Sequence, residues 1–159
     1  MPDCIRHLSQ DGEIEIRSPG ATRPWQHVLE PLSGYLHLGV SLQQNGANFC
    51  SAWNFGPKAD NSRTVAEVAE KIVDYWGSGS VCLTGEKKFV ESNLLQLDCT
   101  KARELMGWEP ILSFNEGIEM TVGWYKANHF CRQNNMYKYS IDQIEEYVRR
   151  AEKRGACWV

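Results

Sequence analysis

The chain has 159 residues, 42% hydrophobic and 23% charged, a length and composition that bury one real core and argue against disorder over most of the chain. Its formal charge is 17 − 20 = −3, which excludes a general attraction to nucleic acid or an anionic membrane while leaving one or two arginines to hold a phosphorylated ligand. No segment approaches the roughly 20 apolar residues of a bilayer span, and Met1-Pro2-Asp3-Cys4-Ile5-Arg6 lacks a secretory apolar run, so a cytoplasmic protein is expected.

In chain order, a short helix is predicted from Pro2 to Ser9, stopped by Asp11-Gly12. Glu13-Ile14-Glu15-Ile16-Arg17 alternates at period two and predicts a half-exposed strand, broken by Ser18-Pro19-Gly20. Trp25-Gln26-His27-Val28 is a short extended run. Glu30, an acidic residue at a helix mouth followed by Pro31, opens a helix reaching Gln44 and closed by Asn45-Gly46. Phe49-Cys50-Ser51-Ala52-Trp53-Asn54-Phe55 reads as a buried strand stopped by Gly56-Pro57.

A capping box follows at Thr64-Val65-Ala66-Glu67. Its helix carries Val65, Val68, Ala69, Ile72 and Val73 on one stripe and ends at Gly77-Ser78-Gly79. A shorter helix is expected from Thr100 to Gly107. Two further boxes, Ser113-Phe114-Asn115-Glu116 and Ser140-Ile141-Asp142-Gln143, open helices reaching Ala127 and Arg154. The whole is α/β and helix-rich. Residues 1–127 form the main unit, 128–139 a linker, and 140–155 a semi-independent last helix.

Cysteines stand at positions 4, 50, 82, 99, 131 and 157. Without a C-x-x-C pair they offer no zinc knuckle or redox motif, and they are expected to be reduced and mostly buried. His27, Glu91 and Cys99 have no spacing that recommends them as a catalytic set.

Three segments carry chemistry. In the first, Arg17 to Pro31, Arg23 stands before Pro24, which restricts it to extended backbone and fixes where its planar fork points. Such a fork suits phosphate oxygens. The second is Ala52-Trp53-Asn54-Phe55-Gly56-Pro57. The third is Val90-Glu91-Ser92-Asn93-Leu94-Leu95-Gln96-Leu97-Asp98-Cys99-Thr100-Lys101-Ala102, which continues to Leu105-Met106-Gly107-Trp108-Glu109-Pro110.

These strings resemble the carboxyl-terminal part of the CDP-glucose 4,6-dehydratase family, within the wider extended short-chain dehydrogenase/reductases. R-P-W-Q-H-V-L-E-P is similar to the family's R-x-[FW]-x-[HY]-V-x-[DE] element, whose arginine contacts the nucleotide-sugar diphosphate; the resemblance assigns that contact to Arg23. Asn54 lies in the counterpart of the N-[FIL]-G element near the sugar nucleotide, and Glu91 in the counterpart of H-E-A-x-x-L-x-L-D-C-S-K-A. Val90 replaces that element's histidine. Asp98, Lys101 and Trp108 read as capping and packing residues. Met136 to Tyr147 also resembles these dehydratases, and Gly155 to Val159 does not.

The resemblance implies a substrate-binding lobe with a few elements of a Rossmann sheet, taking a CDP-sugar. Complete members use NAD to remove water from CDP-glucose. This chain has no G-x-x-G-x-x-G, and no tyrosine has lysine four residues on, so neither a bound cofactor nor activity is expected of it alone. In the family the helix after Glu30 and the strand at 49–55 pack into the dinucleotide-binding sheet. Their apolar faces therefore need cover, and self-association is expected. The other expectation open to the sequence is a non-catalytic interaction module.

Overall fold

The structure, a computed structural model, describes residues 1–58, 62–84, 96–130 and 135–159. The elements run α1 (Pro2–Leu8), β1 (Ile14–Ile16), β2 (Thr22–Arg23), α2 (Leu29–Asn45), a 3-10 turn (Gly46–Phe49), β3 (Arg63–Thr64), α3 (Val65–Trp76), β4 (Val81–Leu83), α4 (Thr100–Met106), α5 (Phe114–Phe130) and α6 (Met136–Lys153). The helix-rich α/β architecture is as expected, with two small sheets.

β1 pairs in parallel with β4, Ile14 opposite Val81 and Ile16 opposite Leu83. Parallel neighbours need a crossover, and α3 lies between them in the chain. The capping box at its start is formed: Glu67 N–H donates to Thr64 Oγ1, and the Glu67 carboxylate accepts from the Thr64 N–H at 2.7 Å. Gly77 closes the helix at φ 89°, a left-handed conformation that costs glycine little. The stripe on α3 then buries Val68, Ala69, Ile72 and Trp76 against Ile5 and Leu8 of α1, Ile14 and Ile16 of β1, and Ile118 and Val122 of α5.

A second cluster joins Ile111 and Leu112 to Met120 of α5 and to Tyr147 and Ala151 of α6. A third joins Phe55 to Ala102, Met106 and Trp108. Gly34 on α2 makes room for the Phe55 ring: a Cβ there would lie 2.4 Å from it.

Several expectations are corrected. No strand forms at 49–55. A lone strand leaves its backbone groups unpaired, and here the segment curls instead, with Trp53 Nε1 donating to Phe49 O at 2.9 Å and the two rings stacked 5.5 Å apart. Cys50, Ser51, Ala52 and Asn54 are exposed and only Phe55 is buried. The run expected at Trp25-Gln26-His27-Val28 is not a strand; the paired residues begin three positions upstream, where Thr22–Arg23 pairs antiparallel with Arg63–Thr64.

The last helix begins at Met136, capped by Asn135 Oδ1 accepting from the Lys138 N–H. Ser140 sits one turn inside it, donating to Met136 O and accepting from Trp124 Nε1. Strand β4 had no sequence expectation. Cys4, Cys82 and Cys99 are half-buried and Cys50 and Cys157 exposed, so the described thiols are free as expected but not buried. Cys4 lies within α1 and Cys82 at the centre of β4, while Cys50, Cys99 and Cys157 lie outside the helices and strands.

One face of α2 is uncovered. Val28, Leu32, Tyr35, Leu36 and Val40 repeat at helical spacing and remain exposed, Leu36 by 74%. Among the described residues no helix is long and apolar enough to cross a membrane.

Candidate functional site

Most polar side chains of the Arg23 segment fasten its backbone. Trp25 Nε1 donates to Arg63 O at 3.1 Å, and Gln26 Nε2 donates to Phe55 O at 2.9 Å. His27 Nδ1 accepts the Leu29 N–H at 3.3 Å, and burial lowers this histidine to about 4, so it is neutral at pH 7. Glu30, 1% exposed, accepts from the Ile111 and Leu112 N–H groups and from Tyr147 Oη. Burial raises its pKa, and those three donors and Arg154 act against the rise.

Arg23 ends β2, half-buried, with its guanidinium donating to Thr22 O at 2.8 Å. It lines a cavity of about 540 Å³ between α1, β1 and the start of α3, together with Arg17, Ser18, Trp25, Ile16 and Val65. That volume falls within the range of small-ligand sites. Two guanidiniums and a hydroxyl at its rim supply donors without an intervening metal. Among the described residues no group of three or more His, Cys, Asp and Glu side chains could hold one.

Asn54 is elsewhere. It is exposed, and its amide donates to Asp98 O at 3.1 Å. Lys101 reaches the same segment, donating to Ser51 Oγ and Ala52 O with its ammonium 4.2 Å from the Trp53 ring centre. Asp98 Oδ1 accepts the Thr100 N–H at the mouth of α4, and Trp108 is 1% exposed. The D-C-T-K-A string therefore clamps the W-N-F string: Asp98 caps and Trp108 packs as expected, whereas Lys101 instead ties α4 to the 51–53 segment. Glu91 and Val90 lie outside the described residues.

Arg17 and Ser18 join Arg23 at the cavity, although the sequence motifs give neither a role. The period-two alternation that defines β1 also places Arg17 with Glu15 on its exposed face, a signal sufficient to find it.

Among the described residues no glycine-rich turn opens a helix toward a dinucleotide phosphate. Gly77 ends α3, and Gly79 after it leads into β4. At the start of α5, burial would raise Glu116, but hydrogen bonds from Ser113 and Arg154 outweigh it and hold the carboxyl down to about 2. It joins the start of α5 to Arg150 of α6 and to Arg154, the residue that follows that helix.

No protein-family model matches the chain. Solved structures sharing its fold include dTDP-glucose 4,6-dehydratase from Bacillus anthracis in complex with NAD, at TM-score 0.64 and 22% identity, covering 80% of this chain and 38% of that one. Another is the Bordetella bronchiseptica enzyme WbmF in complex with NADH, at TM-score 0.63 and 19% identity, covering 99% and 42%. The fold is thus a part of the extended short-chain dehydrogenase/reductase fold of nucleotide-sugar dehydratases and epimerases.

In sequence the chain is similar to the carboxyl-terminal part of CDP-glucose 4,6-dehydratase. It is 39% identical to the Salmonella typhimurium protein over 149 residues, 93% of this chain and 41% of that protein. UDP-glucuronic acid decarboxylase 1 of Xenopus tropicalis is 27% identical over 143 residues, 86% of this chain and 31% of that protein. The chain spans less than half the length of these relatives.

Proposed function

We propose that this chain is the substrate-holding, carboxyl-terminal part of a cytoplasmic CDP-glucose 4,6-dehydratase and that Arg23 grips the diphosphate of the nucleotide sugar. The observation that carries this reading is the placement of Arg23 on the 540 Å³ cavity, next to Arg17 and Ser18, on a backbone fastened by Trp25 and Gln26. The complete reaction eliminates water from CDP-glucose to give CDP-4-keto-6-deoxyglucose. This chain contributes binding and orientation, and no hydride or proton transfer is assigned to its residues. Alone it is catalytically inactive.

An arginine–phosphate hydrogen bond contributes about 1.5–3 kcal/mol. Arg23→Ala is therefore expected to weaken CDP-glucose binding roughly 10- to 150-fold by calorimetry. Equal affinity with and without the guanidinium would remove Arg23 from the site. No heat from CDP-glucose, CDP or UDP-glucose at millimolar concentration would abandon the substrate reading.

A second reading, an oligomerisation module that reuses the scaffold, is favoured by the uncovered stripe of α2. That helix has no lysine or arginine, and its single acidic residue, Glu30, is buried. An uncharged face of this kind suits a second copy of itself. Sedimentation velocity at micromolar concentration is expected to show a dimer, with Leu36→Glu shifting it to monomer. A monomeric wild-type protein would dismiss this reading.

A further inference from the structure

On the reading that the cavity beside Arg23 takes a nucleoside diphosphate, we infer that Glu15 and Arg17 recognise its base and select cytosine over uracil. Ile14 and Ile16 of β1 are buried while Glu15 and Arg17 are exposed. The alternation of a strand places the two charged residues on one face, about 7 Å apart along it. Both line the cavity.

Opposite charges so close commonly pair, yet these two make no ion pair with each other. Neither side chain makes a hydrogen bond with any other described residue. Asp3, the other carboxylate on the cavity wall, is instead engaged by Arg6 at 2.9 Å. The strand therefore presents a carboxylate that only accepts beside a guanidinium that only donates.

That order of groups is complementary to the hydrogen-bonding edge of cytosine, an exocyclic amine followed by ring-nitrogen and carbonyl acceptors. A glutamate accepting from the cytosine amine is an established pairing in nucleic-acid recognition. Uracil offers a carbonyl oxygen where cytosine has the amine, and an N–H where cytosine has its ring acceptor. The carboxylate would then face a lone pair, and the guanidinium a donor. A site built from committed donors and acceptors rejects an analogue that reverses them. The indole of Trp25 and the side chain of Val65 supply apolar wall for the flat faces of the ring, and Arg23 lines the same cavity.

The test is calorimetric titration of CDP-glucose and of UDP-glucose into the wild-type chain and into Glu15→Gln, Arg17→Ala and Arg23→Ala. Wild type is expected to prefer CDP-glucose by about 10-fold or more. Glu15→Gln is expected to bring the two affinities within about 3-fold, because its amide can turn to accept from cytosine or donate to uracil. Arg17→Ala should weaken CDP-glucose more than UDP-glucose, and Arg23→Ala should weaken both alike. Positions 15 and 17 are exposed, so thermal unfolding of these two variants should match wild type. Equal wild-type affinities that still depend on Arg23, or a preference that survives Glu15→Gln, would overturn the base assignment and leave the diphosphate reading intact. Absence of binding to either sugar would overturn both.

Discussion

Glu30→Ala is expected to cost about 3–5 kcal/mol of folding stability, a large part of the 5–15 kcal/mol typical of a domain. The carboxylate accepts from Ile111 N–H at 3.0 Å, from Leu112 N–H, and from Tyr147 Oη at 2.9 Å. Those donors come from a loop more than 80 residues downstream and from α6, so one side chain holds three parts of the chain together. Truncation leaves two buried amides without an acceptor, each costing about 1–3 kcal/mol when unsatisfied, while the phenol keeps Ser33 Oγ at 3.1 Å. Water entering the vacated space recovers part of that sum. Glu30→Gln, which keeps the volume and one acceptor, should fall between. Urea unfolding followed by tryptophan fluorescence reads the difference, and a loss under about 1 kcal/mol would show that the carboxylate is not what joins these segments.

Glu30 also marks where the sequence stops being readable. Its place before Pro31 identifies a helix start, and α2 does begin there, at Leu29. Nothing local shows that the acid turns inward to cap distant amides, because the donors become its neighbours only after α2 and α6 dock. Features closed within a few residues were legible for the opposite reason. The Thr64–Glu67 and Ser113–Glu116 boxes satisfy amides three residues away and form as expected. The alternation at 13–17 needs only one buried face and produces β1.

The segment at 49–55 failed because a strand is a property of two segments. Its apolar residues are right, but no described strand lies beside it, and Trp53 folds back on Phe49. Ser140 failed because its box competed with Asn135, and the longer helix from Met136 lets Trp124 and Ser140 bond at 3.0 Å. At the candidate site, Arg23 could be found through the proline that follows it and through resemblance. The separation of Arg23 from Asn54 could not be found that way, since adjacency in a motif list carries no geometry. Asn54 instead spends its amide on Asp98 O.

Trp108→Ala is expected to cost a further 3–5 kcal/mol or so when measured alone, as is usual for a buried tryptophan. Its indole is 1% exposed, meets the Phe55 ring edge-on at 4.9 Å, and donates to Ser33 Oγ at 3.0 Å. The cavity would open between α2, α4 and the Phe55 segment, and Phe55 cannot collapse into it without leaving its seat over Gly34. Tyr147 Oη also stands 3.1 Å from Ser33 Oγ, its single proton shared between that oxygen and the Glu30 carboxylate. The Trp108 and Glu30 sites thus share two polar groups, and their losses should not add. In a double-mutant cycle the pair should show an interaction energy of about 0.5–3 kcal/mol. Simple additivity within about 0.5 kcal/mol would mean that the α2–α6 contact and the Phe55 cluster are independent. Coupling would mean that residues 29–34 of α2 are the common support of both, and therefore of the Gln26–Phe55 tie that steadies the backbone beside Arg23.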